Sequence, residues 1–109
     1  MPSEYDAYRS RADENQRWAN ECKQKIGWKP QSADGYRRLH DEALAEMCLN
    51  DAMARAHSGN GSAPRRELLE LKKHNTGGIN LGVFDKQLFH DTLDRLIDRH
   101  LSADGAANA

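Results

Sequence analysis

The sequence predicts an all-α domain, an irregular bundle of three to four helices, and three observations lead there. Apolar residues recur at spacings of three and four along most of the chain. The first and last of these stretches open on a residue suited to capping a helix, and the breaks between stretches are rich in Gly, Pro and Asn.

The first helix is expected over about residues 4–26. Ser3 can cap it, and Asp6 stands in the reciprocal place of a capping box. Tyr5, Tyr8, Ala12, Asn15, Ala19, Cys22 and Ile26 fall on one narrow seam, small or polar in its middle, which calls for close pairing with a second helix. Gly27 fits a left-handed residue past the helix end, and Pro30 prevents resumption.

A second helix is expected over about 35–57, capped by Asp34 or Ser32. Ala43, Leu44, Ala45, Met47, Cys48, Leu49, Ala52 and Met53 make it apolar over most of its circumference, leaving a polar strip through Arg38, Glu42, Glu46 and Asn50. Such a helix is covered on several sides, either at the centre of a bundle or by a further chain. The same apolar excess predicts a homo-oligomer with the second or the first helix in its interface.

Gly59 to Ser62 break the chain, and Pro64 suits the first turn of a short helix over about 63–75, anchored by Leu68, Leu69 and Leu71. Residues 79–84, with Ile79, Leu81 and Val83 alternating with Asn80 and Gly82, read as a loop or a short extended edge. Asp85 caps the last helix, about 85–101, where Leu88/Phe89, Thr92/Leu93, Leu96/Ile97 and His100/Leu101 recur every four residues. Its opposite face carries His90, Asp91, Asp94 and Arg95, with His90 and Asp94 placed for a weak surface contact. Residues 1–101 then form one domain and 102–109, small and polar, a disordered tail.

Composition limits the function classes. The 109 residues carry 16 basic and 17 acidic groups, and neither half is strongly charged, so no polyanion or polycation partner is advertised. No membrane span and no signal-peptide pattern is present, and two cysteines in helical settings read as reduced core thiols, which together predict a cytoplasmic chain.

Chemistry is scarce. No C-x-x-C, H-x-x-x-H or E-x-x-H occurs, no G-x-S-x-G elbow, and no glycine loop with a phosphate-binding ending. Neither an enzyme nor a metal or cofactor is expected.

The remaining signals are surfaces. Five of the seven aromatics precede residue 37, and Trp18 lies beside the seam of the first helix. Trp18 and Trp28, with Leu49 and Met53 from the over-apolar second helix, are the candidate partner-binding residues. They point to a non-catalytic protein-binding module, a complex subunit or small inhibitor of a larger machine, of a kind common among phage and mobile-element proteins. The alternative is a small oligomeric nucleic-acid-binding protein. It would use Arg65, Arg66, Lys72 and Lys73, two of them in a first helical turn where an anion relieves their conflict with the macrodipole, with Arg9, Arg11 and Arg17 contributing.

Overall fold

The computed structural model describes residues 3–58, 63–74 and 82–101. Among the described residues four α-helices carry the fold: α1 (Glu4–Trp28), α2 (Ala33–Ala56), α3 (Pro64–His74) and α4 (Lys86–His100), with a 3-10 turn, Pro30–Ser32, between α1 and α2. No strand occurs among the described residues, and the fold is the all-α helical bundle that the periodicity predicts. Of the stretch at 79–84, residues 79–81 lie outside the described part, as do 102–109.

The helix starts follow local chemistry. The Ser3 hydroxyl accepts the Asp6 N–H at 3.1 Å while the Asp6 carboxylate accepts the Ser3 N–H at 3.4 Å, completing the capping box. Asp85 accepts the Leu88 N–H at 3.1 Å and starts α4. Two end assignments need correction. Gly27 is not a left-handed terminator, since α1 runs on to Trp28 and the single positive φ among the described residues is at Gly82. Pro30 sets the end instead, by forcing Lys29 out of the helical region. At α2 neither candidate caps with its side chain. Ser32 occupies the N-cap position without such a bond, and Asp34 sits inside the first turn, paired with Arg37 at 2.8 Å.

α2 is the axis of the molecule. α1, α3 and α4 all pack on it, α3 and α4 touch lightly, and no Cα atoms of α1 and α4 come within 8 Å of each other among the described residues. Ala43, Leu44, Ala45, Leu49 and Ala52 of α2 are buried with Ala19 of α1, Leu68 of α3, and Phe89, Leu93 and Ile97 of α4. The chain's own helices therefore cover most of the apolar face of α2, with Met47 and Met53 left half-buried. Burial of Phe89 alone contributes about 2–3 kcal/mol.

The α1 seam is used as spaced. Ala12, Ala19 and Cys22 are buried on it, and Asn15 accepts a 2.8 Å hydrogen bond from the Asn50 amide, so the polar middle of the seam has its partner on α2. Asn50 thus leaves the solvated strip in which its neighbours in sequence would place it. Leu69 is exposed and anchors nothing, leaving Leu68 and the half-buried Leu71 to hold α3. His90 also departs from expectation. Its Nε2 is buried without a hydrogen-bond partner beside Phe89, while Asp94 pairs with Lys72 of α3.

Candidate functional site

Because α1 and α4 lie on α2 without meeting, a trough of about 370 Å³ opens between them. Its floor is Leu49, Asn50 and Met53 of α2, and the side chain of Leu96 closes the α4 side. Leu49 is 7% exposed, so it is mostly spent on the chain's own core, whereas Met53 and Leu96 are half-buried and keep apolar surface facing the opening.

The walls are basic. Arg11 on α1 lies over the Tyr8 ring at 5.0 Å, and that ring is itself stacked on His57 at 5.4 Å. Arg99 and His100 stand on the α4 wall, and Glu46 is the single acid lining the trough among the described residues. Arg9, two residues before Arg11, points elsewhere and pairs with Asp51 at 2.6 Å. Neither Arg11 nor Arg99 has a carboxylate partner among the described residues.

The tryptophans occupy a different part of α1. Trp28, in its last turn, is 71% exposed, and Trp18 is 37% exposed with the Lys25 ammonium 5.6 Å from its ring. Lys25 also lies 5.7 Å from the Tyr36 ring, so one cation holds two aromatics at the α1–α2 end of the molecule.

The four basic residues of the nucleic-acid alternative are not equivalent. Arg65 and Arg66 are exposed in the first turn of α3, and Lys73 is exposed near its end, but Lys72 is engaged with Asp94. The backbone N–H groups of Ser62 and Ala63 precede this turn and could join the two guanidiniums around an anion, but Ser62 lies outside the described residues. Arg66 borders a second depression between α2 and α3, of about 580 Å³, where Glu67 and Glu70 accompany it above Met47, Cys48 and Leu71.

The reactive groups are held in structural roles. Burial pushes the Cys48 thiol up to about 12, and the Cys22 thiol is also raised by burial, so neither is a nucleophile at neutral pH. His40 and Asp41 form a buried pair, Nδ1 to Oδ1 at 3.0 Å, which superficially resembles the base and orienter of a hydrolase. No serine or cysteine is hydrogen-bonded to His40 among the described residues, and its ring is turned edge-on to Phe84 at 4.8 Å. No group of three or more His, Cys, Asp or Glu side chains among the described residues is placed to hold a metal ion.

Asp41 is the residue that sequence reasoning passed over. It shares a helix face with Leu44, Ala45 and Cys48, and an acid on an apolar face was the available signal. The basic trough was not foreseen as a unit either, although two of its floor residues, Leu49 and Met53, were singled out as apolar excess. No family model matches the chain, and no curated protein or solved structure is detectably similar to it.

Proposed function

We propose that the chain is a non-catalytic protein-binding module, acting in the cytoplasm as a subunit or small inhibitor of a larger assembly. The observation that carries this reading is Trp28, an indole left 71% exposed in the last turn of a 25-residue helix. An aromatic ring in water forfeits its burial free energy, and partner interfaces are where such rings recover it. Trp18, positioned by Lys25 on the same helix, supplies a second anchor. The absence of helices long and apolar enough to cross a membrane among the described residues is compatible with this reading.

The nucleic-acid alternative keeps Arg65, Arg66 and Lys73 exposed on α3 and Arg11 and Arg17 exposed on α1, whereas Arg9 is paired with Asp51. Engagement of Lys72 by Asp94 weakens it. Tagged co-purification from the native host, read by mass spectrometry and by the 260/280 nm absorbance ratio, separates the readings. A stoichiometric protein lost on Trp28→Ala supports the proposal. Nucleic acid released by salt and lost on Arg65→Glu with Arg66→Glu overturns it.

A further inference from the structure

We propose that the trough between α1 and α4 seats an acidic amphipathic helix of the partner protein. The inference rests on the protein-binding reading and names the chemistry of one contact within it.

Arg11 and Arg99 flank a floor on which Leu49 and Met53 lie beside Asn50 and Glu46. Arg11 stands on the α1 wall and Arg99 on the α4 wall, with Met53 and Leu96 between them and no carboxylate engaging either guanidinium among the described residues. Glu46 is the only opposing charge in the lining among the described residues. A helix whose apolar stripe is flanked on both sides by Asp or Glu is the complement of that arrangement. The stripe covers the floor, and each acidic flank meets one arginine, for which the planar guanidinium offers paired donors.

The dimensions agree. At about 370 Å³ the trough is at the low end for a ligand site, roughly 300–1,000 Å³, so it takes a few anchoring side chains while the helix itself rides above the walls. Stacking of Arg11 on Tyr8, and of Tyr8 on His57, fixes the guanidinium before the partner arrives, which lowers the ordering cost of binding. A nucleic acid is a poor occupant, because its phosphate backbone would leave the apolar surface of Met53 and Leu96 uncovered. A fatty acid would place a single carboxylate where the walls present two separated cations.

The test is selection from a displayed library of 18-residue helical peptides against the full-length protein, followed by titration of a fluorescein-labelled winner by anisotropy. Enriched peptides are expected to carry acidic residues on both sides of an apolar stripe. Arg11→Glu and Arg99→Glu, each at an exposed position, should weaken binding at least about tenfold and leave the helical circular dichroism unchanged. The Arg11→Glu, Arg99→Glu double variant should in turn accept the same peptide with its acids changed to lysine.

Enrichment of basic or uncharged sequences, winners insensitive to both substitutions, or no winner at all overturns the proposal. Displacement of the peptide by laurate but not by unlabelled peptide would overturn it in favour of a lipid. A homodimer that both charge reversals dissociate would overturn it in favour of a second copy. The protein-binding reading fails on separate grounds, namely when no protein co-purifies with the unmodified chain.

Discussion

The carboxylate of Asp41 on α2 accepts the backbone N–H of Asp85, 44 residues away, at 2.7 Å through Oδ2. Its other oxygen accepts the Phe84 N–H at 2.9 Å and meets His40 Nδ1 at 3.0 Å. Asp41 is fully buried, so the fold has placed a charge inside the bundle and surrounded it with donors. One side chain thereby fixes where the chain enters α4, and Asp85, held from behind, is free to cap Leu88. Asp41→Ala is expected to destabilise the protein by about 3 kcal/mol, since hydrogen bonds to a charged group contribute about 1.5–3 kcal/mol each and the partner N–H groups lose their acceptor. Asp41→Asn keeps one acceptor oxygen and should cost less. Urea unfolding followed by circular dichroism measures both, and a loss under 0.5 kcal/mol for Asp41→Ala, on the scale expected of ordinary surface changes, would contradict the role.

The thiol of Cys48 sets a pH limit. Its value rises from 9.0 to about 12, chiefly through burial, with the nearby Asp51 carboxylate adding to the shift. The folded state thus keeps a proton that the unfolded chain releases above pH 9, and stability should fall as pH rises from 9 towards 12, by up to about 1.4 kcal/mol per pH unit. Below pH 9 both states hold the proton and the thiol has no effect on pH dependence. The slope of melting temperature against pH over 9–11 should be shallower in Cys48→Ala than in the unmodified chain. Identical slopes would mean that the thiol ionises as freely in the fold as out of it.

How much of this was legible follows from where the deciding contacts lie. Ser3 with Asp6, and Asp85 with Leu88, are three residues apart, so capping chemistry reads directly from the sequence. The α1 seam is equally readable, because helical spacing alone puts Ala12, Ala19 and Cys22 on one side. Asp41 is different: its acceptors serve N–H groups more than 40 residues away, and no local pattern encodes that distance. Gly27 misleads because a glycine near a helix end is only a permissive site, whereas Pro30 is a steric constraint. The trough is the least legible feature. It exists because two helices pack on α2 too far apart to touch, and lateral spacing leaves no periodicity behind.

Arg55 joins three helices' worth of charge. It donates to Glu67 of α3 from Nη2 at 2.7 Å and Nε at 3.0 Å, and it pairs with Asp51, which also holds Arg9 of α1. All four side chains are partly exposed, so solvent and salt weaken the network. Glu67→Gln should cost about 0.5–1 kcal/mol, less at 1 M NaCl than at 50 mM, with α3 the element that loosens. Hydrogen exchange of the α3 amides at the two salt concentrations checks this, and equal protection in mutant and parent at low salt would show that Leu68 and Leu71 hold α3 unaided.

The α1–α2 contact is tested from α1. Ala19 has no exposed surface, and on the side of α2 that carries Asn50, the partner of Asn15, Ala43 is buried and Ala54 has no exposed surface either. Small residues on both helices let the backbones approach, and dense interiors leave no room for added methylenes. Ala19→Leu therefore forces α1 away from α2 and should destabilise by about 1–3 kcal/mol, with the damage concentrated at the α1–α2 contact. Leu39, by contrast, is an exposed apolar residue on α2, and Leu39→Ala should stay within about 0.5 kcal/mol of the parent. Thermal unfolding of the two variants side by side distinguishes close pairing from loose association. A tolerated Ala19→Leu would mean that α1 rests on α2 through its edges and not along the alanine seam.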